Sequence, residues 1–213
     1  MSDISGQLDA VMESVRERFA SKNAAREQAL PLCREAIRYS ANAIRAVHRD
    51  EFPLAEELAA KAGAQVRAAA QALADHPDVL YAGFVHDAQK EFAEASITLA
   101  LVSGRPLPAP AELGVELPAY LNGMGEAVGE LRRHLLDTLR TGDVARCEEW
   151  LRAMDEIYSV LVTVDYPDAM TGGLRRTTDA VRGILEKTRG DLTLSVQQRR
   201  LEQRLDDFGG KLG

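Results

Sequence analysis

A chain of 213 residues, 46% apolar and 28% charged, is long enough to bury a real core and too apolar for a disordered or fibrous class. Two cysteines, Cys33 and Cys147, exclude a disulfide framework, and the scarcity of aromatics (5%) beside abundant Ala, Leu, Glu and Arg tilts the fold to all-α. The segment Met1 to Leu8 lacks the basic and apolar regions of a signal peptide, and no run approaches about 18 apolar residues, so a soluble, cytoplasmic protein with no membrane partner is expected.

A first helix is expected over about Ile4–Ser21 and a second over about Ala24–Arg49, with Pro31 forcing a kink or restart. A third spans roughly Pro53–Ala74. Asp75-His76-Pro77 breaks it, and Pro77 suits the first turn of a fourth helix reaching about Val102. The segment from Ser103 to Pro110 carries three prolines and reads as a stiff connection. A fifth helix covers about Leu117–Arg140 and ends at Thr141-Gly142-Asp143; a sixth covers about Ala145–Val164. Tyr166-Pro167 and Gly172-Gly173 bracket a turn. A last helical region runs from Leu174 to Phe208, with Gly190 as a natural terminus inside it. No alternating strand pattern and no internal repeat survives, so residues 1–213 read as one domain of six or seven helices, with 191–213 a helical tail.

The formal net charge of -7 argues superficially against a nucleic-acid partner, but the charge is segregated. Basic residues outnumber acids over residues 16–49 and again over 174–204, and the middle of the chain is acidic. Arg34, Arg38, Arg45 and Arg49 are spaced by four, seven and four and share one side of the second helix. Such a row suits a phosphate backbone, because guanidinium forks bind phosphate bidentately, although on spacing alone salt bridges to the acidic middle of the same fold are the readier account.

On the fourth helix the apolar stripe is Leu80, Phe84, Ala88, Ala95, Leu99 and Val102, which puts Glu91 at its edge and Glu94 further toward the polar side. On the fifth helix Glu126 and Glu130 lie opposite the stripe of Leu117, Tyr120, Leu121, Met124, Val128, Leu131 and Leu135. Carboxylates one turn apart on two neighbouring helices can converge into an oxygen-rich cage for Mg²⁺ or Mn²⁺. In a chain with 33 acids the same spacing is also what an ordinary solvated face produces. The four histidines have no metal-ligand spacing, and phosphate loops, nucleophile elbows and Glu-x-x-His pairs are absent.

Three stretches together resemble the translin superfamily, that is, translin, translin-associated factor X and their archaeal and bacterial relatives. They are Gln89-Lys90-Glu91-Phe92-Ala93-Glu94-Ala95; Tyr120-Leu121-Asn122-Gly123 through Glu130-Leu131-Arg132-Arg133 with Thr141-Gly142-Asp143 behind it; and Tyr166-Pro167 through Leu174-Arg175-Arg176-x-x-Asp179 to Arg189-Gly190. The resemblance covers roughly residues 10–190 in unbroken order; Asp191–Gly213 has no counterpart in it. It implies an all-α subunit that closes into a hollow octameric barrel around single-stranded RNA or DNA, as a homo-oligomer or with a related translin-family subunit. For the factor X branch it further implies a Mg²⁺-dependent endoribonuclease whose acidic set is here Glu91, Glu94, Glu126 and Glu130, with Glu126 standing where that branch carries Asp. A non-catalytic cage for single strands, and a scaffold whose charges merely pair with one another, are the alternatives.

Overall fold

The computed structural model describes residues 4–209, which hold nine helices and no strand. The remaining residues of the expected domain and its tail, 1–3 and 210–213, lie outside the described residues.

The first element, α1, is one helix of 44 residues, Ile4–Val47, and not the expected two. Pro31 removes one backbone donor, yet it faces solvent while Ala29, Cys33 and Ala36 are buried beside it. The packing of that inner face outweighs the local cost of the proline. Residues 4–20 of α1 are exposed along their whole length. The next helix, α2 (Phe52–Ala72), starts with proline in its first turn.

The expected fourth helix is two. A single turn, α3 (Pro77–Leu80), is followed by a break at Tyr81-Ala82 and then by α4 (Gly83–Ser103). The proline-rich connection is non-helical from Arg105 to Ala109 and leads into a one-turn helix, α5 (Pro110–Leu113). Helix α6 (Leu117–Thr141) ends at Gly142, whose φ of 95° is left-handed, and Asp143 then caps α7 (Val144–Leu161) by accepting the Arg146 amide at 2.9 Å. A one-turn helix, α8 (Asp168–Thr171), fills the turn before α9 (Leu174–Gly209). Gly190 does not interrupt α9; Leu185, Thr188 and Leu192 are buried around it and hold the helix across a residue that costs only about 1 kcal/mol in a helix interior.

Two groups of buried side chains make the core. One joins the end of α1 and the start of α2 to α4, α6, α7 and α9. The other joins the middle of α1 and the end of α2 to α4 and α6. Helix α4 takes part in both and packs against α1, α2 and α6. Every residue from Phe92 to Ala100 is therefore buried. No helix among the described residues is long and apolar enough to cross a membrane.

Candidate functional site

Over Phe92–Ala100 the enclosed helix α4 has no solvated face, and this corrects the expectation for Glu94. Glu94, placed on the polar side by its helical angle, is only 8% exposed, whereas Glu91 at the stripe's edge is half-buried. The stripe drawn from the chosen apolar residues missed Ile97 and Thr98, both buried on the side where Glu94 sits.

The close approach of α4 and α6 has a cause in the backbone. Gly123 lies against the turn that carries the glutamates, and a Cβ placed on it would stand 2.6 Å from the Lys90 carbonyl and 2.9 Å from the Glu94 amide. With no side chain at that point the two helices touch, and Glu126, one turn further along α6, reaches the acids of α4. One carboxylate oxygen from each of Glu91, Glu94 and Glu126 lies within 4.8 Å of the other two. Glu130 stands a further turn along and is taken up by His48 from the end of α1, whose Nε2 is 2.5 Å from its carboxylate.

The electrostatics follow from this crowding. Burial pushes the Glu94 carboxyl up to about 8, and the charges of Glu91, Glu126 and Glu130 add to the shift. Burial and the Glu126 charge raise Glu91 in the same sense. Glu130 is held below the usual carboxylate range by its bond to His48. One cation already stands in the group: Lys90 Nζ is 2.6 Å from Glu126. Burial opposes the charge on Lys90, but its bond to Glu126 and the neighbouring carboxylates outweigh that and raise its pKa. Three carboxylates with one partly neutralising ammonium leave an excess of negative charge, in a place where unpaired charge is expensive.

All-oxygen donors from two helices fit a hard divalent cation such as Mg²⁺ or Mn²⁺, which takes six ligands at about 2.1 Å and accepts waters for those the protein does not supply. Small rotations of the glutamate side chains close the gap between the present separations and an octahedral edge of about 3 Å.

The arginine row stands elsewhere. Arg34, Arg38, Arg45 and Arg49 are all exposed, and none bonds to the four glutamates. Arg38 pairs with Glu35 at 2.9 Å, Arg45 with the Asn42 side chain at 2.8 Å and Arg49 with Glu51 at 2.7 Å, while Arg34 has no bonded partner among the described residues. The ties are local, so the arginines do not neutralise the acidic middle of the fold. Sequence reasoning missed Lys90 and His48. Lys90 lies inside the Gln89–Ala95 stretch with nothing local to mark its partner, and His48 carries no signal in spacing, since its partner is 82 residues away.

Comparison with known proteins places this geometry in context. No family model matches the chain. An uncharacterized protein of Methanocaldococcus jannaschii is 32% identical over 192 residues, 88% of this chain and 83% of that protein. Among solved structures, AfC3PO in complex with duplex RNA superposes with a TM-score of 0.81 at 32% identity, covering 88% of this chain and 97% of that one. The crystal structure of AfC3PO alone gives 0.80 at the same identity. Apo-NeC3PO, at 18% identity and a TM-score of 0.77, shares the fold.

Proposed function

The chain belongs to the translin superfamily, and from that premise we propose that it encloses single-stranded RNA or DNA in an oligomeric chamber and cuts RNA as a Mg²⁺- or Mn²⁺-dependent endoribonuclease. The observation that carries the reading is the convergence of Glu91, Glu94 and Glu126 in a half-buried group. Carboxylates are gathered against their own repulsion only where something offsets it.

Glu91, Glu94 and Glu126 would hold the cation, with Glu130 beside them. The cation would supply a water made acidic enough to attack at neutral pH and a positive charge facing the phosphate oxygens. The chain's own groups prepare for it. With a cation held there, Glu94 would be an ionised ligand and Lys90 would be displaced from Glu126, while His48 holds the Glu130 carboxylate. The exposed Arg34, Arg38 and Arg45 of α1, with Arg49 just past its end, would hold the strand through its phosphates, giving binding that falls steeply with salt.

Assembly is supported by apolar residues that a lone subunit leaves in water. Ile4, Leu8, Val11, Val15 and Phe19 recur at helical spacing on the arm of α1 and are 37% to 67% exposed. Leu194, Leu201, Leu205 and Phe208 do the same on α9. A ring of eight such subunits, alike or mixed with a related translin-family subunit, would cover these stripes against neighbours.

One observation favours a second reading, a cage that binds strands without cutting them. Lys90 already occupies a carboxylate oxygen of Glu126 and competes with any cation there. Labelled single-stranded RNA incubated in Mg²⁺, in Mn²⁺ and in EDTA separates the two. Cleavage in metal, lost in Glu126→Ala with RNA affinity intact, is the expected result. Retarded but uncut RNA in every lane establishes the cage, and equal loss of affinity and cleavage in the variant removes Glu126 from the chemistry.

A further inference from the structure

A cavity of about 540 Å³ opens beside the carboxylates and shares Lys90 and Glu126 with them. Its far wall is the first turn of α9, with Arg176 and Thr177, and His86 and Asp87 of α4 complete the rim. The volume is that of a nucleotide-sized ligand.

The floor offers little to a base edge. Gly125 lets α9 press on α6 there, since a Cβ on Gly125 would lie 2.3 Å from the Thr177 methyl. Thr177 Oγ1 donates to Asn122 Oδ1 at 2.5 Å, and the Asn122 amide donates to the Pro118 and Thr171 carbonyls at 2.8 and 2.9 Å. These groups satisfy one another, so hydrogen-bond readout has no free partner on the floor. The cationic capacity sits on the rim, where Arg176 and Lys90 face the carboxylates of Asp87 and Glu126. Arg176 is exposed and has no ion-pair partner among the described residues.

Resting on the ribonuclease reading above, we propose that this cavity seats the phosphodiester adjacent to the one being cut, with Arg176 and Lys90 as its two cationic contacts. Arg176 stands ready in either state of the site. Lys90 is shared: it pairs with Glu126 when the carboxylates stand alone, and turns to the strand phosphate when a divalent cation takes Glu126. Loading the carboxylates and gripping the strand are thereby coupled through one ammonium group, and a guanidinium fork beside it fixes the register of the strand against the acids.

The test is anisotropy titration of a labelled single-stranded RNA in EDTA and in Ca²⁺ over a series of salt concentrations, with the full chain. Arg176→Gln is expected to weaken binding about tenfold in both buffers and to lower the slope of log affinity against log salt by about one, with Arg176→Lys keeping most of the affinity. Lys90→Met is expected to match the parent protein in EDTA and to lose affinity only in Ca²⁺, with Lys90→Arg retaining it. Parent-like affinity and slope in Arg176→Gln overturn the site while leaving the ribonuclease reading standing. An equal loss for Lys90→Met in both buffers overturns the exchange at Lys90. If the parent protein binds no RNA in either buffer, the strand-binding reading fails and this site fails with it.

Discussion

In EDTA, Glu94→Gln is expected to stabilise the fold at about pH 9 and to leave it nearly unchanged at about pH 5, while in Mg²⁺ it is expected to lose cation-dependent cleavage. Glu94 is buried among three like charges, and its carboxyl is pushed from 4.5 to about 8. A carboxyl whose pKa rises on folding holds its proton more tightly folded than unfolded. Its contribution is fully favourable below the unfolded value of 4.5, is lost steadily as pH climbs, and is gone above about 8. The loss is on the order of a few kcal/mol, and glutamine, neutral at every pH and of the same shape, escapes it. Chemical denaturation across that range reads the effect directly, and parallel curves for the two proteins would show that Glu94 carries no such strain.

The same carboxyl must ionise to become a ligand. Cation affinity is therefore expected to rise with pH up to about 8, with release of a proton that calorimetry in buffers of different ionisation enthalpy detects. Cleavage by Glu94→Gln is expected to fall by at least about a hundredfold, since losing a ligand costs more than losing an outer-shell partner. A variant that is more stable and inactive is the pattern of a site held together against local preference.

The helical class, the break at Asp75-His76-Pro77, the proline-rich connection and the stop at Gly142 were legible in the sequence, because composition and turn residues are local properties. What failed was whatever depends on neighbours. Pro31 read as a kink or restart and Gly190 as a terminus in isolation, yet each faces solvent on a helix whose opposite side is packed, and packing decided. Glu94 read as polar-facing because the helical wheel assumes one buried side, whereas α4 is enclosed by α1, α2 and α6. Arg34, Arg38 and Arg45 share one side of α1, whereas Arg49 lies past its end at Val47, and whether these charges were spent within the fold required the partners, which turn out to be local. His48 and Glu130 are 82 residues apart, and nothing in one segment announces the other.

Gly123 was likewise only part of a motif, and its replacement carries the second large expectation. Gly123→Ala is expected to destabilise the fold by about 1–3 kcal/mol and to weaken cation binding although every carboxylate remains. The added methyl meets the Lys90 carbonyl at 2.6 Å and the Glu94 amide at 2.9 Å, both backbone atoms that cannot swing aside. Helix α4 must therefore retreat from α6 at the turn bearing Glu91 and Glu94, and the oxygens that now lie within 4.8 Å of Glu126 move apart. Gly129, on the same helix, supplies the control: a Cβ there meets nothing within 4 Å. Gly129→Ala is expected to gain up to about 1 kcal/mol from helix propensity alone, with cation affinity unchanged. Calorimetric titration of both variants with Mn²⁺ then distinguishes a site spaced by the helix–helix contact from one in which any three flexible glutamates suffice. Affinity lost in Gly123→Ala and kept in Gly129→Ala locates the spacing at that contact. Affinity kept in both would mean that the side chains alone adjust to the ion and that the glycine serves packing only.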